Sequence, residues 1–138
     1  MFKILIICSK HFYYRIPEIK EEIEKIGWEV LLPNSYEDPF KEEHLKCDGR
    51  DAHIEFKQKM MRLQEQKVQE SDAVLVLNFK KEYVSNYIGG ATFMEIVKAW
   101  ELGKRIFLFN PIPENSIITD ELIGINPKVI YRDIKSMY

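Results

Sequence analysis

Short runs of consecutive apolar residues recur along the chain and alternate with stretches of helical periodicity. These runs lie at residues 2–8 (FKILIIC), 28–33 (WEVLLP), 72–79 (DAVLVLNF), 104–110 (KRIFLFN) and 127–132 (PKVIYR). Unbroken apolar runs of this length are typical of parallel strands that are buried on both faces of a sheet. Strands that alternate with helices through right-handed crossovers predict a small doubly wound α/β fold with a parallel sheet of about five strands. We expect a flavodoxin-like strand order within this Rossmann-like class.

Three of the intervening segments have the sequence pattern of helices. Residues 16–27 place isoleucine at every third or fourth position, with proline in the first turn and glycine at the end, which predicts an amphipathic helix. Residues 51–71 are predicted to form a long helix, and residues 91–103 a helix that ends at a glycine. Residues 34–50 are polar and are predicted to be a loop that folds over the ligand site.

The composition and net charge of the chain limit the kinds of protein it can be and the kinds of partner it can bind. The 138 residues are 46% hydrophobic and 30% charged, as expected for one globular domain over residues 1–138. The net charge of −2 provides no positive field that would attract a nucleic acid polymer or an anionic membrane. The first apolar run is too short for a signal segment or a membrane span, and the two cysteines, Cys8 and Cys47, make no disulfide framework. We therefore expect a cytoplasmic protein.

Ligands of doubly wound folds bind beyond the carboxyl ends of the strands, so the loops that follow the strands are the candidate site. In the loop after the third strand, Gly89 and Gly90 precede a helix whose first turn is expected to hold Glu95. One interpretation is structural. Thr92 and Glu95 match the capping box T-x-x-E, in which both side chains bond to free amides of the helix, and the glycines supply unusual backbone angles.

The second interpretation of Glu95 is chemical. Exposed amides and the helix dipole would keep its carboxylate ionised, and the two glycines would let a substrate approach the backbone. An ionised carboxylate at a strand-end crevice can attack an electrophilic sugar carbon and hold a covalent glycosyl intermediate. On spacing alone, both interpretations remain open.

Residues 72–109 resemble the core of the nucleoside 2-deoxyribosyltransferase-like family. The pattern of this family is an apolar strand, a loop, and then G-[ST]-x-x-E at the opening of a helix that ends in a small residue, a lysine and another apolar strand. The corresponding segments here are DAVLVLN and, after the loop, GGATFMEIVKAWELGKRIFLF. The resemblance implies an α/β domain, usually oligomeric, that cleaves or exchanges the N-glycosidic bond of nucleosides or deoxynucleoside monophosphates. It also implies that Glu95 is the nucleophile that attacks C1′, after which another base or water takes the sugar. No cofactor is expected.

Two positions depart from the pattern of this family. Its transferases carry an aspartate at the end of the third strand and another six residues before the nucleophile, where this chain has Asn78 and Gly89. Asn78 can hydrogen-bond a base or sugar, but an amide cannot donate a proton as a carboxylic acid does. Nucleotide hydrolases of the family tend to have a phosphate-binding serine at the second position, and the bare amides of Gly89 and Gly90 can cradle an anion instead. Hydrolysis is therefore slightly favoured, and the alternative is a catalytically inactive nucleotide-binding protein of the same fold.

The loop after the first strand adds a candidate phosphate site. Ser9, Lys10 and His11 offer a hydroxyl, an ammonium and loop amides that can converge on a 5′-phosphate, although Lys10 and His11 also fit an ordinary surface. Thr92 is expected to shape the helix entrance beside it. The aromatic residues that could stack on a base are Tyr13, Tyr14, Phe79, Tyr83 and Tyr87.

The expected partners are a small-molecule nucleoside or nucleotide and further copies of this chain. A homo-oligomer is suggested by the resemblance and by apolar or aromatic residues such as Phe107, Phe109, Ile112 and Tyr131. His44, Cys47 and nearby acids contain ligand types for a metal, but they lack a metal-binding spacing, and no metal is predicted.

Overall fold

The computed structural model describes residues 1–138 and contains one five-stranded sheet. Its strands are β1 (Lys3–Ile7), β2 (Glu29–Leu31), β3 (Ala73–Val76), β4 (Arg105–Leu108) and β5 (Lys128–Val129). The strand order is β2-β1-β3-β4-β5, and all four neighbouring pairs are parallel. The predicted α/β fold with a flavodoxin-like strand order is confirmed.

Five α-helices connect and cover these strands. They are α1 (Ile16–Lys25), α2 (Lys41–Cys47), α3 (Arg50–Glu70), α4 (Gly90–Glu101) and α5 (Thr119–Ile125), with short 3-10 helices at Lys10–Arg15 and Ile134–Met137. The helices predicted at 16–27, 51–71 and 91–103 are confirmed to within two residues at each end. The prediction of a continuous loop over residues 34–50 is wrong, because residues 41–47 form α2. This helix buries no residue, so no apolar stripe marks it in the sequence.

The core lies in two layers, one on each face of the sheet. Successive residues of a strand point to opposite faces, so Ile4 and Ile6 pack with α1 while Leu5 and Ile7 pack with α3 and α4. Apart from the exposed Lys3 at the start of β1, every residue of β1 and β3 is buried, which explains why these strands are apolar on both faces. None of the helices combines the length and the apolar character needed to cross a membrane.

Two aromatic residues that were expected at an oligomer contact belong to this core. Phe107 and Phe109 are 2% and 5% exposed and pack beneath α1 and the C-terminal 3-10 helix. Their assignment to an oligomer surface is wrong, because both side chains point to the covered face of β4. Tyr131 is 72% exposed, and Ile112 packs partly against the other layer.

Candidate active site

A cavity of about 220 Å³ opens at the carboxyl edge of the sheet, next to the end of β1 and the start of α4. This is the edge at which doubly wound folds bind their ligands. The predicted site residues that border the cavity are Ser9, Lys10, Gly89, Gly90, Thr92 and Glu95. The structure therefore brings together two loops that are far apart in the sequence.

The remaining walls of the cavity come from α3 and from the segment that follows β2. Lys57, Met60 and Gln64 reach it from α3, and Asn34, Ser35 and Pro39 reach it from the other side. The first part of the 34–50 segment therefore forms one wall of the cavity. No group of three or more His, Cys, Asp or Glu side chains is arranged to hold a metal ion.

Glu95 is the sixth residue of α4, and its carboxylate borders the cavity. Because the helix begins at Gly90, Thr92 is already its third residue, and no side chain caps the helix start. The capping-box interpretation is therefore wrong, and so is the placement of Glu95 in the first turn. Glu95 is only 9% exposed, and its carboxylate has no hydrogen-bond partner within the protein.

The two glycines at the helix start have ordinary backbone angles. Gly89 has φ −80° and ψ 171°, and Gly90 is helical, so the expectation that they supply angles that other residues resist is wrong. A Cβ atom added at Gly90 would meet no other atom within 4 Å. The absence of side chains here leaves the space at the helix start open to a ligand.

Burial controls the protonation of Glu95. It raises the pKa of this carboxyl to about 8, and the positive charge of Lys67 opposes the shift only in part. The expectation that the helix start keeps Glu95 ionised is wrong, because the side chain lies in the second turn, where it is withdrawn from water and the effect of the dipole has faded. At neutral pH Glu95 is therefore mostly protonated.

Two more titratable side chains share this environment. Cys8 and Tyr13 line the cavity, and burial, with further contributions from neighbouring acids that include Glu95, raises the pKa of both groups above their ordinary values. Both therefore keep their protons at neutral pH. A protonated thiol is a weak nucleophile, and the Tyr13 hydroxyl is a neutral hydrogen-bond donor on the cavity wall.

Several predicted ligand residues do not border the cavity. His11 is exposed, and partial burial together with the charges of Lys81 and Lys10 lowers the pKa of its ring. Among the aromatic candidates, only Tyr13 lines the cavity. Phe79 and Tyr87 pack around Phe12 in the interior. Tyr14 and Tyr83 are 75% and 98% exposed.

Asn78 is fully buried and joins the ends of β3 and β4. Its Nδ2 donates to the carbonyls of Asn110 and Pro111 at 2.9 and 3.0 Å, and its Oδ1 accepts from the Asn110 amide at 2.8 Å. The Asn110 side chain in turn donates to the Asn78 carbonyl and accepts from Arg132. Both polar atoms of the Asn78 side chain are thus engaged, which leaves none to orient a substrate.

A solved structure shares this architecture over nearly the whole chain. The CMP N-glycosidase BcmB of Clostridium botulinum superimposes with a TM-score of 0.57, covering 98% of this chain and 94% of that chain, at 17% sequence identity. This likeness establishes the fold. It confirms the α/β fold that the resemblance to the deoxyribosyltransferase-like family implied. No protein-family model matches the sequence, and no curated protein is significantly similar to it.

Lys67 does not border the cavity, but its charge acts on Glu95, and the sequence did not reveal this. It lies on α3, and its Nζ donates to the Leu32 carbonyl at 2.5 Å. Burial lowers the pKa of Lys67, while Glu95 and Glu70 act to raise it. Its spacing in the sequence could have indicated this position. Lys57, Gln64 and Lys67 lie seven and three residues apart and therefore share one face of α3.

Replacing Asn78 by the aspartate of the family should destabilise this protein. In Asn78→Asp, the amide that donates to two carbonyls becomes an oxygen facing the same carbonyls. We expect a loss of about 2 to 3 kcal/mol in the free energy of unfolding, measured by urea denaturation at pH 7. Asn115→Asp, at an exposed position, is the matched control and should change little. Equal stability of Asn78→Asp and the wild type would contradict this role.

Proposed function

We propose that this protein is an enzyme that cleaves or exchanges the N-glycosidic bond of a (deoxy)nucleotide or nucleoside, with Glu95 as the nucleophile and hydrolysis slightly favoured. The observation that carries the proposal is the Glu95 side chain, which is only 9% exposed, forms no hydrogen bond within the protein and borders the strand-end cavity. A buried acid with a strongly shifted pKa and no structural partner is typical of a functional site. BcmB, whose fold this chain shares, is a CMP N-glycosidase, and this supports the same bond type.

The chemistry proceeds from the ionised form of Glu95. One carboxylate oxygen attacks C1′, the C1′–N bond breaks, and its electron pair leaves with the base, which takes up a proton. A covalent glycosyl ester on Glu95 results. In hydrolysis, water then attacks C1′ and loses a proton, which releases the sugar and restores the Glu95 carboxylate. In the exchange reaction, a second base attacks C1′ in place of water. Lys67 supports the step because its charge opposes the raised pKa of Glu95.

The other cavity residues bind and orient the substrate. The Ser9 hydroxyl, the Lys10 ammonium and the backbone amides at Gly89 and Gly90 offer donors to a 5′-phosphate. The open space at Gly90 allows the phosphate or the sugar to approach the helix start. Tyr13, which stays protonated, offers a hydroxyl on the wall of the same cavity. Thr92 is 3% exposed and shapes this entrance.

The proposal is tested by HPLC detection of released base. The purified protein would be incubated with ribo- and deoxyribonucleosides and their 5′-monophosphates, CMP among them, with and without a free acceptor base. We expect release of base from at least one substrate, and more from a 5′-monophosphate than from its nucleoside. A new nucleoside or nucleotide that forms only with an acceptor base would identify exchange. No release from any member of the panel by folded protein would refute the glycosidase.

A second candidate is a catalytically inactive nucleotide-binding protein of the same fold. The observation that favours it is Asn78, which stands where transferases of the resembling family have an aspartate and which is wholly committed to the β3–β4 junction. Gly89, at the second such position, has no side chain to supply an acid. This candidate predicts that the panel ligands bind, as measured by calorimetry, without release of base.

A further inference from the structure

Two adjacent carboxylates on α2 pair with cations from different walls of the cavity. Glu43 forms an ion pair with Lys10, which follows β1. Glu42 lies 2.8 Å from Nε2 of His53 and 3.4 Å from Nζ of Lys57, both on α3. Lys10, Glu42 and Lys57 all border the cavity. The lysine that is placed to receive a substrate phosphate is therefore already paired with an acid of the protein.

We propose that Glu43 competes with the substrate phosphate for Lys10 and thereby sets how strongly the cavity prefers nucleotides over nucleosides. This inference rests on the proposed function, because it concerns the phosphate end of the same cavity. A ligand phosphate and the Glu43 carboxylate compete for the same Lys10 ammonium. A neutral nucleoside leaves the ion pair intact, so its affinity for the cavity does not depend on the pair.

The two acids of α2 differ in how firmly they are held. Burial alone would raise the pKa of Glu42, but His53 and the lysines around it outweigh burial and lower it, so Glu42 stays ionised and ties α2 to α3. Glu43 has a single partner. Its Oε2 atom is buried without a hydrogen bond, which makes the paired state of Glu43 costly. Glu43 is the acid that can be displaced while Glu42 keeps α2 in place.

The charges favour displacement by a phosphate monoester. Such a group carries about −1.5 to −2 charges at neutral pH and three acceptor oxygens, whereas the Glu43 carboxylate carries a single charge. The Lys10–Glu43 pair is also partly exposed, with 26% and 45% of the two side chains accessible, and pairs of this kind contribute little stability. The phosphate therefore binds Lys10 in preference to Glu43. Its net affinity for the cavity is nevertheless reduced, because the protein's own carboxylate is always present at high effective concentration.

The test measures binding of inorganic phosphate, which needs neither a matching base nor turnover. Wild type, Glu43→Gln and Glu37→Gln would be titrated by calorimetry, with cytidine as the neutral ligand. Glu37 is the matched control because it is exposed in the same segment and forms no ion pair. We expect Glu43→Gln to bind phosphate about fivefold more tightly, the factor that a partly exposed ion pair of ordinary strength supports. Cytidine binding and the Glu37→Gln variant should match the wild type.

A double-mutant cycle with Lys10→Gln identifies the partner. The gain from Glu43→Gln should vanish when Lys10 is also replaced, because there is then no cation to compete for. Phosphate binding by Glu43→Gln that is no tighter than by the wild type, including no binding by either, would overturn the proposal. Failure of the base-release assay alone would refute the proposed chemistry and leave this competition standing, since the two measurements share no readout.

Discussion

Glu95→Gln is expected to lower the rate of base release by about 10³-fold or more, because a carboxamide oxygen is a poor nucleophile and cannot form the glycosyl ester. The substitution preserves the size of the side chain and removes no hydrogen bond, since the carboxylate has no partner in the protein. The fold should therefore survive. The measurement is the initial rate of base release by HPLC on the best substrate of the panel, at equal concentrations of folded protein.

The matched control for this loss is Glu101→Gln. Glu101 lies on the same helix but is exposed, and only a 3.9 Å contact with Lys98 engages its side chain. Its replacement should leave the rate of base release unchanged. If Glu95→Gln retained the wild-type rate, the nucleophile would have to be another group. If Glu95→Gln bound substrate as the wild type does but released no base, the assignment of Glu95 to the chemical step would stand.

The same substitution should stabilise the protein, and the gain should grow with pH. The folded-state pKa of Glu95 is about 8, against an ordinary value of 4.5 in the unfolded chain. Between these values the folded protein binds a proton that the unfolded chain has lost. The free energy of unfolding therefore falls as the pH rises above 4.5, and the loss is complete above about pH 8. Glu95→Gln removes this penalty, which for a buried group with this shift is about 3 to 5 kcal/mol.

Urea denaturation at pH 5 and pH 9 measures the effect. The two proteins should differ little at pH 5, and Glu95→Gln should be the more stable by several kcal/mol at pH 9. The other titratable groups that face Glu95 are Cys8, Tyr13 and Lys67, and they are present in both proteins, so their contributions largely cancel. A stability difference that is the same at both pH values would show that the folded protein does not hold Glu95 in its protonated form.

The fold could be predicted from local sequence patterns, and the errors in that prediction have local causes. Every buried strand lies within one of the unbroken apolar runs, and right-handed crossovers leave few orders for five parallel strands. The helices α2 and α5 were not predicted, because each has only seven residues and α2 buries none of them. The sequence does not place Phe107 and Phe109 correctly, because an apolar pattern indicates burial but does not distinguish the protein core from a contact with another copy of the chain.

The candidate site was predictable only in part. Ser9, Lys10 and Glu95 follow from the rule that ligands meet the carboxyl ends of the strands, and the cavity lies there. Asn78 obeys the same rule, but its side chain is taken up by Asn110 and Pro111, which lie more than thirty residues away in the sequence. Lys67 and Glu43 do not border the cavity; they act on Glu95 and Lys10 from helices whose sequences give no sign of it.

By itself, the sequence determined the parallel sheet, the edge of that sheet where the cavity lies, and the segments after β1 and β3 that contain Lys10 and Glu95. These features follow from the spacing of apolar residues, which reports on each element separately. Only the tertiary structure decided that Glu95 is buried and largely protonated, and that Lys10 is paired with Glu43. Desolvation and ion pairing depend on which distant side chains packing brings within a few ångströms, and no local pattern encodes that.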